Sequence, residues 1–233
     1  MTKSIILLHG ALGSKNQLQN LKNTLSKDFH VYDINFEGHG DRASHRNFTM
    51  EIFAENILQY IEENKLSKVS FFGYSMGGYA ALVFAKKHPA LVEKIFTLGT
   101  KFAWTEGFAK QEVRKLNPNK IEEKVPAFAQ KLAAIHAPND WKDVVIKTAK
   151  MMEGLGGDKK LSHGDFQEIA HPVLITRGSL DKMVTLVESQ EIASLLPNAT
   201  FQMLEGFPHL IEKVDAEKLA VVVKEFIEDK AVS

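Results

Sequence analysis

The segment Val69-Ser70-Phe71-Phe72-Gly73-Tyr74-Ser75-Met76-Gly77-Gly78-Tyr79-Ala80-Ala81-Leu82 decides how this chain is read. Apart from Ser70 its first half is apolar, the composition of a strand covered on both faces. Its second half runs on through Phe84 and Ala85 as a helix. Between the two lies Gly73-x-Ser75-x-Gly77. Small residues two before and two after a serine let strand and helix approach closely and leave the serine exposed on a sharp turn. A serine hydroxyl is a poor nucleophile until it is held in that way beside a base. Ser75 is therefore the candidate nucleophile. The competing reading, a glycine-rich turn that merely packs tightly, is weakened by the strand before it and the helix after it.

Outward from this segment the pattern repeats. Ile5 to Leu8, Val31 to Asn35, Ile95 to Leu98, Val173 to Thr176 and Thr200 to Leu204 are short apolar or β-branched runs. Apolar residues three and four apart lie between them, as in Ile52, Ile57, Leu58 and Ile61 and in Leu219, Val222, Val223, Phe226 and Ile227. Strands alternating with helices predict an α/β fold, a doubly wound, mostly parallel sheet of about six strands with helices on both faces. From Lys101 to Glu168 the alternation breaks. Helical segments are predicted at Glu106 to Leu116, Val125 to Ile135 and Trp141 to Glu153, punctuated by Pro118, Pro126 and Pro138 and closed by Gly154-Leu155-Gly156-Gly157. This stretch starts after one strand and ends before the penultimate one, so it belongs over the carboxyl edge of the sheet, where such folds bind ligands. The expected organisation is a body of residues 1–100 and 169–233 with a helical cap, or lid, of residues 101–168.

Composition excludes several classes. The 233 residues hold 29 Lys and Arg against 29 Asp and Glu, leaving no net field to draw in nucleic acid or an anionic membrane. With no cysteine there is no disulfide framework, thiolate nucleophile or cysteine-based zinc site. No metal or other cofactor is expected. Only four strongly apolar residues, Ile5 to Leu8, precede His9-Gly10, too few for a signal segment or a membrane span, and a cytoplasmic protein is expected.

A nucleophilic serine creates an oxyanion, which backbone N–H groups must meet. His9-Gly10-Ala11-Leu12-Gly13-Ser14 follows the first strand, and the amides of Ala11 and Met76 are the expected donors, helped by the helix N-terminus at Met76. His9 reads as a brace for that loop. Nine histidines compete for the role of base. His171 lies at the wrong edge of the sheet, His88 ends a helix, His136 and His163 fall in the insertion, and His39 precedes Ser75 in a turn. His209 follows the last strand and shares the carboxyl edge with Ser75. Asp181, just past the preceding strand and 28 residues before His209, is the carboxylate placed to orient it. Leu12, Trp104, Phe108, Met183 and Phe207 are candidate pocket residues. Phe128, Met151 and Met152, with Trp104 and Phe108, could line an apolar acyl pocket, although such residues at helical spacing are more often packing, and Lys101 reads as a solvated lysine before an anion contact.

Taken together, His9-Gly10-Ala11-Leu12-Gly13-Ser14, Glu37-Gly38-His39-Gly40, Gly73-Tyr74-Ser75-Met76-Gly77-Gly78, Gly178-Ser179-Leu180-Asp181-Lys182-Met183-Val184 and Gly206-Phe207-Pro208-His209 resemble the α/β-hydrolase fold family in its lid-bearing, esterase-like branch. The resemblance covers nearly the whole chain. It implies a Ser-His-Asp triad of Ser75, His209 and Asp181, no cofactor, and a small-molecule carboxylic ester of small to medium acyl length as substrate. It also implies departures. The chain opens on what would be the family's third strand, and Asn35 stands where an Asp is common. The same fold and triad serve carbon–carbon bond hydrolases and a lyase of menaquinone synthesis, which this sequence resembles in its Ser-Met-Gly-Gly, but the lyase has an arginine where Tyr79 stands. A non-catalytic binding protein would be expected to have lost a triad member. Dehalogenases and epoxide hydrolases carry Asp at the position of Ser75 and are excluded.

Overall fold

Along the first strand, Ile5 and Leu7 face one way and Ile6 and Leu8 the other, and all four are fully buried. That requires helices on both sides, and the computed structural model, which describes residues 2–229, has them. Six strands form one sheet: β1 Ser4–Leu8, β2 His30–Ile34, β3 Val69–Tyr74, β4 Val92–Leu98, β5 Val173–Gly178 and β6 Ala199–Leu204. Their order is β2-β1-β3-β4-β5-β6 and each neighbouring pair is parallel.

Helix α1 (Gln19–Leu25) and the last helix, α10 (Ala216–Ile227), cover one face. Leu21, Leu25, Leu219, Val223 and Ile227 pack there with Ile5, Leu7 and Phe72. Helices α2 (Met50–Glu63), α3 (Met76–Lys87) and α9 (Leu186–Leu195) contribute to the other, where Ile6, Leu8, Phe71 and Ile175 meet Phe53, Ile57, Leu82 and Ile192. Because β2 lies on one side of β1 and β3 on the other, the chain switches direction between β1 and β3. Loops leaving those two carboxyl ends diverge and open a crevice there. Ala11 and Ser75 stand at its two lips.

Five helices separate β4 from β5: α4 Glu106–Val113, α5 Pro118–Lys124, α6 Pro126–His136, α7 Trp141–Gly156 and α8 His163–Gln167. Three coincide with the predicted segments, with ends moved by a few residues. The two short ones, α5 and α8, escaped the pattern because seven and five residues carry too little periodicity. Local capping defines them instead. Asn117 accepts from the Lys120 amide ahead of Pro118, and Ser162 and Asp165 form a reciprocal capping box. No helix among the described residues is long and apolar enough to cross a membrane.

Candidate active site

Ser75 sits at φ 51° and ψ −113°, outside the basins open to most L-residues, between β3 and α3. Several contacts hold it there: its N–H donates to Leu98 O at 2.8 Å, and the Thr100 hydroxyl donates to Ser75 O at 3.0 Å. The flanking glycines are sterically required. A Cβ on Gly77 would lie 2.2 Å from the backbone oxygen of Leu8, and one on Gly73 2.4 Å from the backbone of Gly78. The elbow can form only where β1, β3 and α3 approach without side chains between them.

Met76 opens α3, so its N–H has no partner within the helix and points out of the helix N-terminus. Opposite, residues 10–13 form a turn closed by Gly13 N–H to Gly10 O at 3.2 Å. Among the described residues the Ala11 amide inside that turn donates to no protein acceptor. Ala11, Ser75 and Met76 line one cavity. His9 braces the loop as expected. It is fully buried, its Nδ1–H donates to Gly10 O at 2.8 Å, and its Nε2 accepts from the Phe36 amide at 3.2 Å. Burial pushes its pKa down to about 4, which keeps it neutral and unsuited to proton exchange near pH 7.

His209 and Asp181 meet across 28 residues of sequence, with Nδ1–H donating to Asp181 Oδ2 at 2.7 Å. The other carboxylate oxygen accepts from the amides of Met183 at 2.7 Å and Val184 at 3.0 Å. Burial alone would push the Asp181 carboxyl up, but the histidine contact and the two amides outweigh it and hold it below the usual carboxylate value. Gly99, at φ +60°, floors this pair. A Cβ there would stand 3.1 Å from Asp181 Oδ2 and 3.2 Å from His209 Nδ1. Since Leu98 O receives the Ser75 amide, the end of β4 ties the Ser75 side of the site to the His209 side.

Two cavities open on Ser75. A narrow slot of about 40 Å³ runs toward Trp104, Phe108, Met151, Met152 and Met183 and is floored by Tyr79 and Met50. A wider cleft of about 570 Å³ includes Ser75 and His209, with Leu12, Leu116, Phe128, Ile135 and Leu210 on its walls. Four of the five residues read from sequence as pocket candidates therefore line these spaces. Phe207 does not and is corrected. It is 8% exposed in the core cluster with Tyr74, Leu98, Leu204 and Ile211. The chain bends at Gly206, φ +77°, and the next side chain packs inward, while Leu210 faces the cleft instead.

Lys101 also departs from its reading as a solvated lysine. Its ammonium lies 2.6 Å from Glu188 Oε2 with both side chains nearly buried, and it covers the Phe108 ring at 4.1 Å. Glu188 additionally accepts from the amides of Phe102 and Ala103 and from Thr185. Sequence reading missed this role, although Thr185-x-x-Glu188 is a visible capping signature. Met50 and Tyr79 were missed as lining residues because each sits in an ordinary helical pattern.

Comparison with known proteins agrees with this fold. A family profile described as alpha/beta hydrolase fold matches residues 3–140. A Haemophilus influenzae protein named for an esterase/lipase activity is similar at 22% identity, over 97% of this chain and 83% of its own length. A Bacillus subtilis protein named for 2-succinyl-6-hydroxy-2,4-cyclohexadiene-1-carboxylate synthase activity is similar at 24%, over 97% and 90%. The crystal structure of an enol-lactonase from Burkholderia xenovorans LB400 superposes with a TM-score of 0.79 at 18% identity, over 98% and 92%, which is a likeness of fold.

Proposed function

The chain belongs to the alpha/beta hydrolase fold family, and we propose that within it the protein is a serine hydrolase acting on a carboxylic ester of small to medium acyl length. The observation that carries this is the convergence on one cleft of Ser75, held strained at the strand-to-helix turn, and His209, whose far ring nitrogen is engaged by Asp181. In this reading Ser75 Oγ adds to the ester carbonyl carbon while His209 takes its proton, and Asp181 steadies the imidazolium. The carbonyl oxygen, now an alkoxide, is met by the Ala11 and Met76 amides. Collapse expels the alcohol, which receives the proton from His209. Water then repeats the addition on the acyl-enzyme and releases the acid. The narrow slot suits a short acyl chain, and the wider cleft suits the alcohol portion. Residues 101–168 act as the lid that shapes both.

A second reading, a lyase of the menaquinone-synthesis type, is favoured by the likeness, over most of both chains, to the Bacillus subtilis protein named for a synthase activity. Against it stands Tyr79 at the position of the lyase arginine. Its buried hydroxyl accepts from the Leu161 amide at 2.7 Å, so it offers no cation to an acidic substrate.

A fluorophosphonate probe and a panel of p-nitrophenyl esters of graded acyl length test the proposal. Labelling at Ser75, hydrolysis of the shorter esters and loss of both in Ser75→Ala are expected. Labelling at another serine, or full turnover by Ser75→Ala, would overturn it.

A further inference from the structure

We infer that His136, from the inserted helix α6, is a positioning residue for the oxyanion turn, holding in register the backbone that presents the Ala11 amide. The inference rests on the serine-hydrolase reading above, in which that amide meets the alkoxide.

The turn of residues 10–13 is strained. Leu12, its third residue, has φ +57°, a conformation that such turns normally give to glycine. A side chain there is tolerated only if the surroundings over-determine the backbone. Two imidazoles do so. His9 donates to Gly10 O, which belongs to the same peptide unit as the Ala11 N–H, so fixing that oxygen aims the N–H. At the other end His136 Nε2 lies 3.2 Å from Leu12 O, and its Nδ1 lies 3.1 Å from the Gly40 amide nitrogen. A carbonyl can only accept and an amide N–H can only donate, so Nε2 carries the hydrogen and Nδ1 the lone pair. This neutral tautomer satisfies both neighbours at once. Burial pushes the imidazole below its ordinary value and favours the neutral form.

The seat of His136 is built rather than incidental. The residue is fully buried. Three positions on, Asn139 Nδ2–H donates to Gly40 O at 2.8 Å and to Arg42 O at 3.1 Å, clamping the end of α6 onto the same loop. The His39 ring packs edge-on against His136, with centroids 5.7 Å apart, and tilted against His9 at 5.1 Å, so one ring touches both clamps. The insertion therefore reaches back across 124 residues to grip the turn directly after β1.

Replacement by Asn, Leu and Gln separates this role from mere packing. An asparagine at this position could still accept from Gly40 but falls short of Leu12, whereas a glutamine amide offers acceptor and donor at nearly the imidazole spacing. His136→Asn and His136→Leu should lower kcat about tenfold or more with KM within twofold, because a loosened donor is felt in the transition state. Affinity for a trifluoromethyl ketone, whose adduct with Ser75 carries the same oxyanion, should fall in parallel. His136→Gln should recover most of both. Unchanged kcat and inhibitor affinity in His136→Asn, a rise in KM alone, or equal losses in His136→Asn and His136→Gln would overturn the proposal. His136→Asn carries the test should the leucine variant fail to fold. Loss of the parent reading would show separately, as full turnover by Ser75→Ala.

Discussion

Asp181 spends its buried carboxylate on three donors: the His209 ring and the amides of Met183 and Val184. Asparagine could keep the shape but would turn an NH₂ toward a ring nitrogen or an amide and favour the wrong imidazole tautomer. Asp181→Asn should therefore lower kcat about 10³- to 10⁴-fold while KM changes little. Steady-state hydrolysis of a short p-nitrophenyl ester reads this, and nearly full activity would move the orienting acid elsewhere. Gly77 makes the second prediction at this scale. The added methyl of Gly77→Ala would meet the backbone oxygen of Leu8 at 2.2 Å, and backbone in a central strand cannot give way. Overpacking of this kind costs roughly 3 kcal/mol. Urea unfolding should show the loss, and fluorophosphonate labelling of Ser75 should slow because the elbow has shifted.

Among the elements, the segment leading from β4 into α4 does two jobs. Its start is fastened to α9 by Glu188, which holds Lys101 and the amides of Phe102 and Ala103. Removing one partner of a buried pair strands the other, so Glu188→Ala should cost about 3 kcal/mol by chemical denaturation, far more than a surface ion pair would. A loss below about 1 kcal/mol, the range of exposed pairs, would show that the lysine escapes to water. The same segment then turns Trp104 and Phe108 toward the slot beside Ser75. Replacing either by Ala should change the ratio of kcat/KM between short and long acyl esters, with reactivity toward a small fluorophosphonate largely kept. Equal losses on every substrate and on the probe would mark these aromatics as core.

At the scale of the whole molecule, buried neutral histidines couple the fold to pH. His9 has a pKa of about 4 in the folded protein against an ordinary value of 6.5, so between those values the unfolded chain binds the extra proton. Stability is then full above about pH 6.5 and falls as pH drops toward 4, by about 3 kcal/mol for this residue alone. Burial lowers His39 and His136 in the same direction. Asp181 has the opposite origin, a carboxylate kept ionised, and its contribution is lost only below its ordinary value of 3.8. Urea midpoints measured from about pH 7.5 to 4.5, the window in which these rings would take up protons on unfolding, should fall steadily. His9→Gln, less stable at the upper end, should show a flatter slope. An unchanged midpoint across that range would contradict neutral burial of these rings.

Read from the chain alone, the six strands emerged with ends no more than three residues off, because parallel strands covered on both faces must be continuously apolar and the helices between them must be amphipathic. That Ser75, Asp181 and His209, the residues proposed as the triad, share one edge of the sheet was legible for a related reason. In a parallel sheet every strand's carboxyl end lies on one edge, so residues just past β3, β5 and β6 are brought toward each other by topology. Phe207 failed because side-chain direction in a loop has no period, and one bend at Gly206 turned it into the core. Lys101 with Glu188 and His136 with Leu12, 87 and 124 residues apart, were invisible for another reason. Each is a polar side chain of ordinary local context whose partner is chosen by how the inserted helices settle on the body. Periodicity and turn chemistry are local and determine the elements; desolvation and hydrogen-bond pairing are non-local, and only the packed tertiary structure decided them.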